Sequence, residues 1–587
     1  LHRLIRRQRQ MCIRDREYSA IIHDMDKRFC YAIDKDLFVI RIQVKRDDIK
    51  EIILHYEDKY IPMEWKDTRK TIPMKKVATS QFQDYYEAQI QMHLICLRYF
   101  FEFTDMQGEK VYYGNYEFSK ECITNRDRMF DCPQNLREEE MFVVPKWAEN
   151  KVVYQIFPSR FASSQPVDKE VWYKAPVTSM DNLHGDLRGI IEHLDYVHSL
   201  GIDVLYMTPI FKSNSSHKYD TIDYYQIDPS FGTAEDLKEL VQKAHEYGMK
   251  VVMDAVFNHT GNEFFAFEDI LEKGNKSKYL DWYFIDEFPL KSERGEIPNF
   301  KCFGYYGGMP KLNLKNPEVE KFITDVACYW IRECDIDGWR MDVGDEISHF
   351  FWKNFRKAVK AVKKDMLIIG EIWHYAGDFL EGDEWDTVMN YPFYLNMIDL
   401  LADEKITVSQ FIQNLGYLKG RLNKKCYPLM WNLIDSHDTA RFLHLCKNNK
   451  KKQHLAAAFQ LLLPGMPMIY YGDEYAMPGA NDPDCRRGMY WDEEYQDKEM
   501  FEWYKQLLKV RKNHACIVEG EPMELAARDE EETIVLTRKN GEETLALIFN
   551  CSSSARMFNE YAQKYDLLRE NPFDGKIEGL DAAVIVL

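Results

Sequence analysis

Three short segments place carboxyl groups at the ends of apolar runs: Gly338-Trp339-Arg340-Met341-Asp342, Gly370-Glu371-Ile372-Trp373 and Asp435-Ser436-His437-Asp438. One Asp, one Glu and a further Asp, with Arg340 and His437 among them, are the groups needed to cut a glycosidic bond. One carboxylate attacks the sugar and another carboxyl protonates the leaving oxygen, and for a covalent displacement the two lie about 5–5.5 Å apart. Each residue alone has an ordinary reading, Asp342 as a helix cap and His437 as a hydrogen-bonded core histidine. A fourth segment, Asp254-Ala255-Val256-Phe257-Asn258-His259, reads alone as a polar strand end and a turn. What singles them out is order, because each follows a stretch that reads as a buried parallel strand.

The elements that must position these residues alternate regularly. Apolar strands are predicted at 152–157, 204–207 and 250–257, then near 336–341, 366–370, 386–390, 429–434 and 467–471. Helical spacing falls between them, at 187–200 before Gly201, at 233–247 between Thr233 and Gly248, and at 319–334, 407–422, 453–463 and 499–513. Eight strands alternating with helices close a (β/α)8 barrel, whose catalytic face is built from the C-terminal strand ends. The expected fold class is α/β: a TIM barrel at 139–505, with a small inserted domain at 260–314 after the third strand. Aromatic, alternating runs such as Phe38-Val39-Ile40-Arg41-Ile42-Gln43-Val44, 94–103 and 110–118 predict an N-terminal β-sandwich at 18–138. Thr533-Ile534-Val535-Leu536-Thr537 and Leu545-Ala546-Leu547-Ile548 predict a C-terminal antiparallel β domain, a sandwich, at 506–587.

Composition excludes several classes. A net charge of −19 over 587 residues is the wrong sign for nucleic acid, whose binding needs a basic surface. No apolar run approaches the roughly 20 residues that span a bilayer. Residues 1–17 read as a non-native or disordered leader, with Arg3, Arg6, Arg7, Arg9, Arg14 and Arg16 against Asp15 and no apolar signal core. Thirteen scattered cysteines without a Cys-x-x-Cys pair point to free thiols, Cys30, Cys96 and Cys328 acting as small hydrophobes, and to a reducing cytoplasm.

Taken together, the four segments resemble the third-, fourth-, fifth- and seventh-strand motifs of the α-amylase family of glycoside hydrolases. Ser216-His217-Lys218-Tyr219-Asp220, Asp228-Pro229-Ser230-Phe231-Gly232-Thr233 and Tyr470-Tyr471-Gly472-Asp473-Glu474 are further matches. Met309-Pro310-Lys311-Leu312-Asn313 and Asp482-Pro483-Asp484-Cys485-Arg486-Arg487 are similar to motifs of its cyclomaltodextrinase, neopullulanase and maltogenic amylase branch. The sandwich is similar to that branch's starch-binding-type module.

The resemblance implies Asp342 as nucleophile, kept ionised by Arg340 two residues back on the same strand face. It implies Glu371 as acid and then base, its pKa raised by burial near Trp373 and by neighbouring carboxylates, and Asp438 as the third carboxylate. His259 and His437 would hydrogen-bond the sugar and Tyr219 would stack under it. Asp254 and Asn258 would support the site, and Trp373, Asp484 and Arg486 would complete the binding residues. Calcium is often bound in this branch after the first strand. Here Phe161-Ala162-Ser163-Ser164-Gln165-Pro166-Val167-Asp168 has one carboxylate where several are expected, with Asp186 beyond it, so no metal or other cofactor is expected.

The implied substrates are cyclomaltodextrins, maltooligosaccharides and pullulan or starch, cleaved at α-1,4 bonds with retention and some transglycosylation. The implied assembly is a homodimer through the N-terminal domain. A dedicated glucanotransferase would use the same residues. A non-catalytic carbohydrate-binding or transporter-associated relative would lack some of the three carboxylates or carry a membrane helix.

Overall fold

The computed structural model describes residues 17–61, 69–92, 96–115, 117–133, 141–291 and 297–587. The expected leader lies outside these residues apart from residue 17, as do the start of the strand expected at 94–103 and the boundary expected at 138/139.

Eight parallel strands form the core of the larger of two compact units: β1 Val153–Ile156, β2 Val204–Met207, β3 Lys250–Ala255, β4 Gly338–Met341, β5 Leu367–Gly370, β6 Thr387–Val388, β7 Trp431–Asn432 and β8 Met466–Tyr470. Their order is β6-β5-β4-β3-β2-β1-β8-β7. A parallel bridge between Met389 and Trp431 joins the two ends, with the Asn390 amide donating to the Trp431 carbonyl at 2.8 Å. The ring is therefore closed, and no strand of it is left with an unpaired edge. Val153, Val204, Val252, Leu367, Ile369, Met389, Trp431 and Met468 pack in one buried cluster, as expected of a barrel filled by side chains.

The sequence chemistry of the helices is visible at their ends. In Ala234–Glu246, Thr233 accepts from the Asp236 amide while Asp236 accepts from the Thr233 amide, a reciprocal cap worth about 1 kcal/mol. Leu237, Leu240, Val241 and Ala244 are buried, the i, i+3, i+4, i+7 stripe of a helix packed on one side. The helix expected at 187–200 is broken in two, Leu187–Glu192 and Leu194–Ser199, at His193. The helix Lys498–Asn513 runs past residue 505 and a short one follows at Cys516–Glu519, so the C-terminal sheet starts at Glu521–Arg528 and has six strands. Residues 260–314 hold the helix Phe265–Lys273 and isolated bridges such as Ile285–Phe300 and Cys302–Pro310.

In the smaller unit two antiparallel sheets face each other. One is built on Leu37–Lys45 and Gln83–Gln91, the other on Ile49–Asp58 and Cys96–Asp105. Ile40, Ile42, Val44, Ile52, Leu54, Phe101 and Phe103 fill the space between them. Cys30 is not the free thiol expected, because it is paired with Cys132 from the strand Phe130–Pro133. Cys96 and Cys328 are free and buried.

Candidate active site

Strand β4 explains why Arg340 and Asp342 act together. Successive side chains of a strand point to opposite faces, so Trp339 packs outward on Phe211 and Phe257 while Arg340 points into the barrel. Its Nη1 lies 2.9 Å from Asp342 Oδ1 and 3.1 Å from Asp254 Oδ2. Its Nη2 lies 2.9 Å from Glu371 Oε2 and 3.7 Å from Asp438 Oδ2. One fully buried guanidinium thus gathers carboxylates from the ends of β3, β4, β5 and β7. At the opposite end of β4, Asp337 is held by His245, Lys250 and Lys363 at 2.6, 2.9 and 3.0 Å. That carboxylate is kept low by its partners against the burial that would raise it, and it serves stability rather than chemistry.

Glu371 reaches the cluster because Gly370 closes β5 against an indole. A Cβ on Gly370 would lie 2.1 Å from the Trp385 ring. The Glu371 carboxyl accepts from the Val343 amide at 2.9 Å and from the Trp373 indole at 3.3 Å. Val343 sits in the left-handed region with φ of 47°, uncommon for a β-branched residue, and this turn aims its N–H at Glu371. Trp373 is 42% exposed and stacks on Tyr391 with ring centres 3.9 Å apart.

Asp254 accepts from Tyr206 at 2.7 Å and from Tyr219 at 3.1 Å. Tyr219 lies parallel to His437, 5.7 Å between ring centres, and its hydroxyl meets His437 Nε2. His437 is also 3.1 Å from Asp438 through Nε2 and 2.7 Å from Gln155 through Nδ1. His259 Nε2 lies 3.0 Å from the Tyr219 carbonyl, its ring stacked on Phe303 and its buried Nδ1 without a partner. Arg486 donates to the His437 carbonyl at 2.8 Å and approaches Asp438 at 3.7 Å.

Two residues are engaged by partners outside the Arg340 cluster. Asn258 is taken up by Lys311 and Glu346. Asp484 accepts from the Val177 and Ala480 amides at 3.1 and 2.9 Å and from Arg487 at 2.8 Å, so its carboxylate ties loops together and has no oxygen left for a sugar. Sequence reasoning missed Tyr206 and Gln155. The signal for Gln155 was a polar residue inside the apolar run of β1.

The electrostatics differ from expectation at one residue. Burial pushes the Asp342 carboxyl well above the usual range, with Arg340 opposing and Glu371, Asp254 and Asp438 adding to the rise. Arg340 alone was expected to keep it low. Burial likewise raises Glu371, against Arg340 and with Asp438. It raises Asp438 too, against Arg340 and Arg486, and pushes Asp254 up to about 6, again against Arg340. Two like charges about 4 Å apart repel by about 4 kcal/mol at an effective dielectric of about 20, close to three pKa units. Crowded on one guanidinium, the four carboxyls are each harder to ionise than an isolated one. Burial brings His259 down to about 3 and takes His437 well below its usual range, with Arg486 and Arg340 contributing. Both imidazoles are neutral.

The loop after β1 does not fit calcium. Asp186 accepts from the Ser164 amide and hydroxyl, at 3.2 and 2.7 Å, and from the Gly189 amide at 2.6 Å. Donors therefore surround it where a hard cation needs oxygen lone pairs. Among the described residues no group of three or more His, Cys, Asp or Glu is placed to hold a metal. EDTA is expected to leave the melting temperature unchanged, and a fall of many degrees restored by calcium would contradict this account of the loop.

Residues 155–520 match the family described as alpha amylase, catalytic domain, and residues 17–134 match the alpha amylase, N-terminal ig-like domain. The chain is 43% identical to a cyclomaltodextrinase of Geobacillus thermopakistaniensis (strain MAS1), over 92% of each chain. It is 41% identical to neopullulanase 2 of Thermoactinomyces vulgaris, over 86% of each. A solved cyclomaltodextrinase superposes with a TM-score of 0.90 at 36% identity, covering 97% of this chain and all of that one. A closed parallel barrel with carboxylates from four strand ends on one arginine, and these matches over nearly the whole length, lead to one statement: the chain belongs to the α-amylase family, in the branch that holds the cyclomaltodextrinases and neopullulanases.

Proposed function

We propose that this glycoside hydrolase cleaves α-1,4-glucosidic bonds of cyclomaltodextrins and short maltooligosaccharides, with pullulan and starch as slower substrates, through a covalent glycosyl-enzyme. Some transglycosylation accompanies hydrolysis. The observation that carries the reading is the bridging of Asp342 and Glu371 by Arg340 at 2.9 Å each. One guanidinium that holds both carboxyls suits a nucleophile working with an acid/base, a pair that lies about 5–5.5 Å apart in covalent displacement.

Asp342 is the nucleophile. Its Oδ1 is held by Arg340 while its buried Oδ2 accepts no hydrogen bond, which leaves that oxygen for the anomeric carbon. Glu371 delivers its proton to the leaving oxygen, then takes one from the water that releases the sugar. Asp438 and the neutral His437 and His259 hold sugar hydroxyls, Tyr219 supports the ring's apolar face, Arg486 steadies Asp438, and the exposed Trp373 offers a stacking face beside Glu371. When one sugar hydroxyl replaces water at the second step, the same geometry gives transglycosylation.

Initial rates on β-cyclodextrin, pullulan and soluble starch test the reading. β-Cyclodextrin should be fastest. No new reducing ends from any of the three, or starch cleaved fastest, would overturn it.

The titration of Glu371 carries a second test. Activity is lost as pH rises through the value at which Glu371 gives up its proton. The Asp438 charge raises that value, so in Asp438→Asn the proton is held less tightly. The basic limb of kcat/KM should move to lower pH while the rate falls. A basic limb unmoved or moved upward would remove Glu371 from the acid role.

A homodimer through the N-terminal domain belongs to the same proposal, supported by the match of residues 17–134 to the family's N-terminal domain. Deleting residues 1–135 should give a monomeric barrel without preference for cyclodextrin over starch. Unchanged mass and preference would leave the domain without this role. Action inside the cell is also part of the reading, supported by ten free cysteines among the described residues.

A further inference from the structure

The motif Tyr470-Tyr471-Gly472-Asp473-Glu474 has no part in the site so far, yet it follows β8, the strand paired with β7. Asp435 opens the loop after β7 that carries His437 and Asp438. Asp435 and Asp473 are buried, and so is Arg441, the cation paired with Asp473. Arg441 Nη1 donates to Asp473 Oδ1 at 3.0 Å and to the Tyr471 carbonyl at 2.6 Å, and Nε donates to the Cys485 carbonyl at 3.0 Å. Asp435 Oδ2 accepts the Phe442 amide at 2.7 Å. The remaining oxygens, Asp435 Oδ1 and Asp473 Oδ2, are buried and accept from no amide, guanidinium or hydroxyl. The two carboxyl groups are within hydrogen-bonding reach of each other.

Two buried carboxylates with one guanidinium to offset them leave an excess negative charge, and an unpaired buried charge is costly. A proton between the two free oxygens removes that charge and satisfies both atoms. We propose that Asp435 and Asp473 form a hydrogen-bonded acid–carboxylate pair, the proton on Asp473, and that with Arg441 this pair positions the loop bearing His437 and Asp438. The mechanical link is short. Arg441 holds the Cys485 carbonyl, and the next residue, Arg486, donates to the His437 carbonyl at 2.8 Å. A slip of the pair would therefore move His437 and Asp438 against the Arg340 cluster.

The surroundings fit a single proton. Glu474 beside the pair is satisfied by Tyr154 at 2.6 Å, Tyr196 at 2.7 Å and the Gly472 amide at 2.9 Å. The helix Lys450–Leu462 brings Gln453, which donates to the Asp473 carbonyl at 3.0 Å. The phenol of Tyr504 on Lys498–Asn513 and those of Tyr470, Tyr471 and Tyr394 complete the titratable neighbours. Among the described residues, no cation other than Arg441 is ion-paired with either carboxylate. Burial pushes both carboxyls up, and the Asp435 charge adds to the rise at Asp473. A carboxyl raised in the folded state contributes stability at low pH that is lost as pH rises through its folded value.

The kinetic half of the test rests on the roles proposed above for His437 and Asp438, and the thermal half does not. Full-length wild type, Asp473→Asn and Asp473→Ala are compared for kcat and KM on β-cyclodextrin, and for melting temperature at pH 6.5 and 9.5. An asparagine can give Asp435 the hydrogen bond without titrating. Asp473→Asn should keep kcat within about threefold and lose less melting temperature between the two pH values than wild type, by at least about 2 °C. Asp473→Ala should lose kcat at least about tenfold with KM changed less than about threefold. Wild-type kcat in Asp473→Ala, or equal losses of melting temperature in wild type and Asp473→Asn, would overturn the proposal. Should Asp473→Ala not fold, the thermal comparison of wild type with Asp473→Asn decides alone. A wild type inactive on β-cyclodextrin would refute the proposed function and leave the thermal comparison standing.

Discussion

Asp342→Asn should fold as the parent does and lose at least about a thousandfold in kcat on β-cyclodextrin, about 4 kcal/mol of barrier. The substitution keeps size and shape, and Arg340 still has Asp254 and Glu371 at 3.1 and 2.9 Å to hold it in place. Removing one buried negative charge from a crowded cluster also relieves repulsion, so the melting temperature should not fall. What disappears is the attacking atom, because an amide oxygen cannot form and release a glycosyl ester. Activity above about a thousandth of wild type, in protein free of deamidated material, would place the nucleophile elsewhere.

Glu371→Gln should separate two kinds of substrate. On β-cyclodextrin the leaving sugar oxygen must be protonated, and a lost general acid costs about 10²–10⁴-fold. On α-maltosyl fluoride the leaving group departs without a proton, so its first step should be slowed far less. A burst of fluoride from the variant, followed by slow turnover, would show the second step limited by the missing base. Equal losses on both substrates would remove Glu371 from the acid role and leave its bonds to Val343 and Trp373 as structure alone.

The framework was legible because barrel strands are short apolar runs and their C-terminal ends are where carboxyls gather. All eight strands lie where the apolar runs placed them, and Asp342, Glu371 and Asp438 are brought together as their strand ends required. What was not legible depends on distance in space. The raised carboxyl of Asp342 arises from burial and from Glu371, Asp254 and Asp438, none adjacent to it in sequence, whereas the sequence shows only Arg340 two residues away. Asp484 matched a motif, yet its use by Arg487 three residues on makes it a loop brace. The pairing of Cys30 with Cys132 spans 102 residues and leaves no local trace. The break at His193 was missed because apolar spacing continues across it.

The central claim is a two-step displacement on Asp342 and Glu371. The measurement that tests it most directly is proton NMR of the anomeric region during the first seconds to minutes of β-cyclodextrin or maltotriose hydrolysis, faster than mutarotation. Two inversions restore the starting configuration, so the account predicts that the α-anomer of the new reducing end appears first and the β-anomer grows in only as mutarotation proceeds. A β-anomer appearing first would mean direct attack by water and would contradict the covalent role given to Asp342.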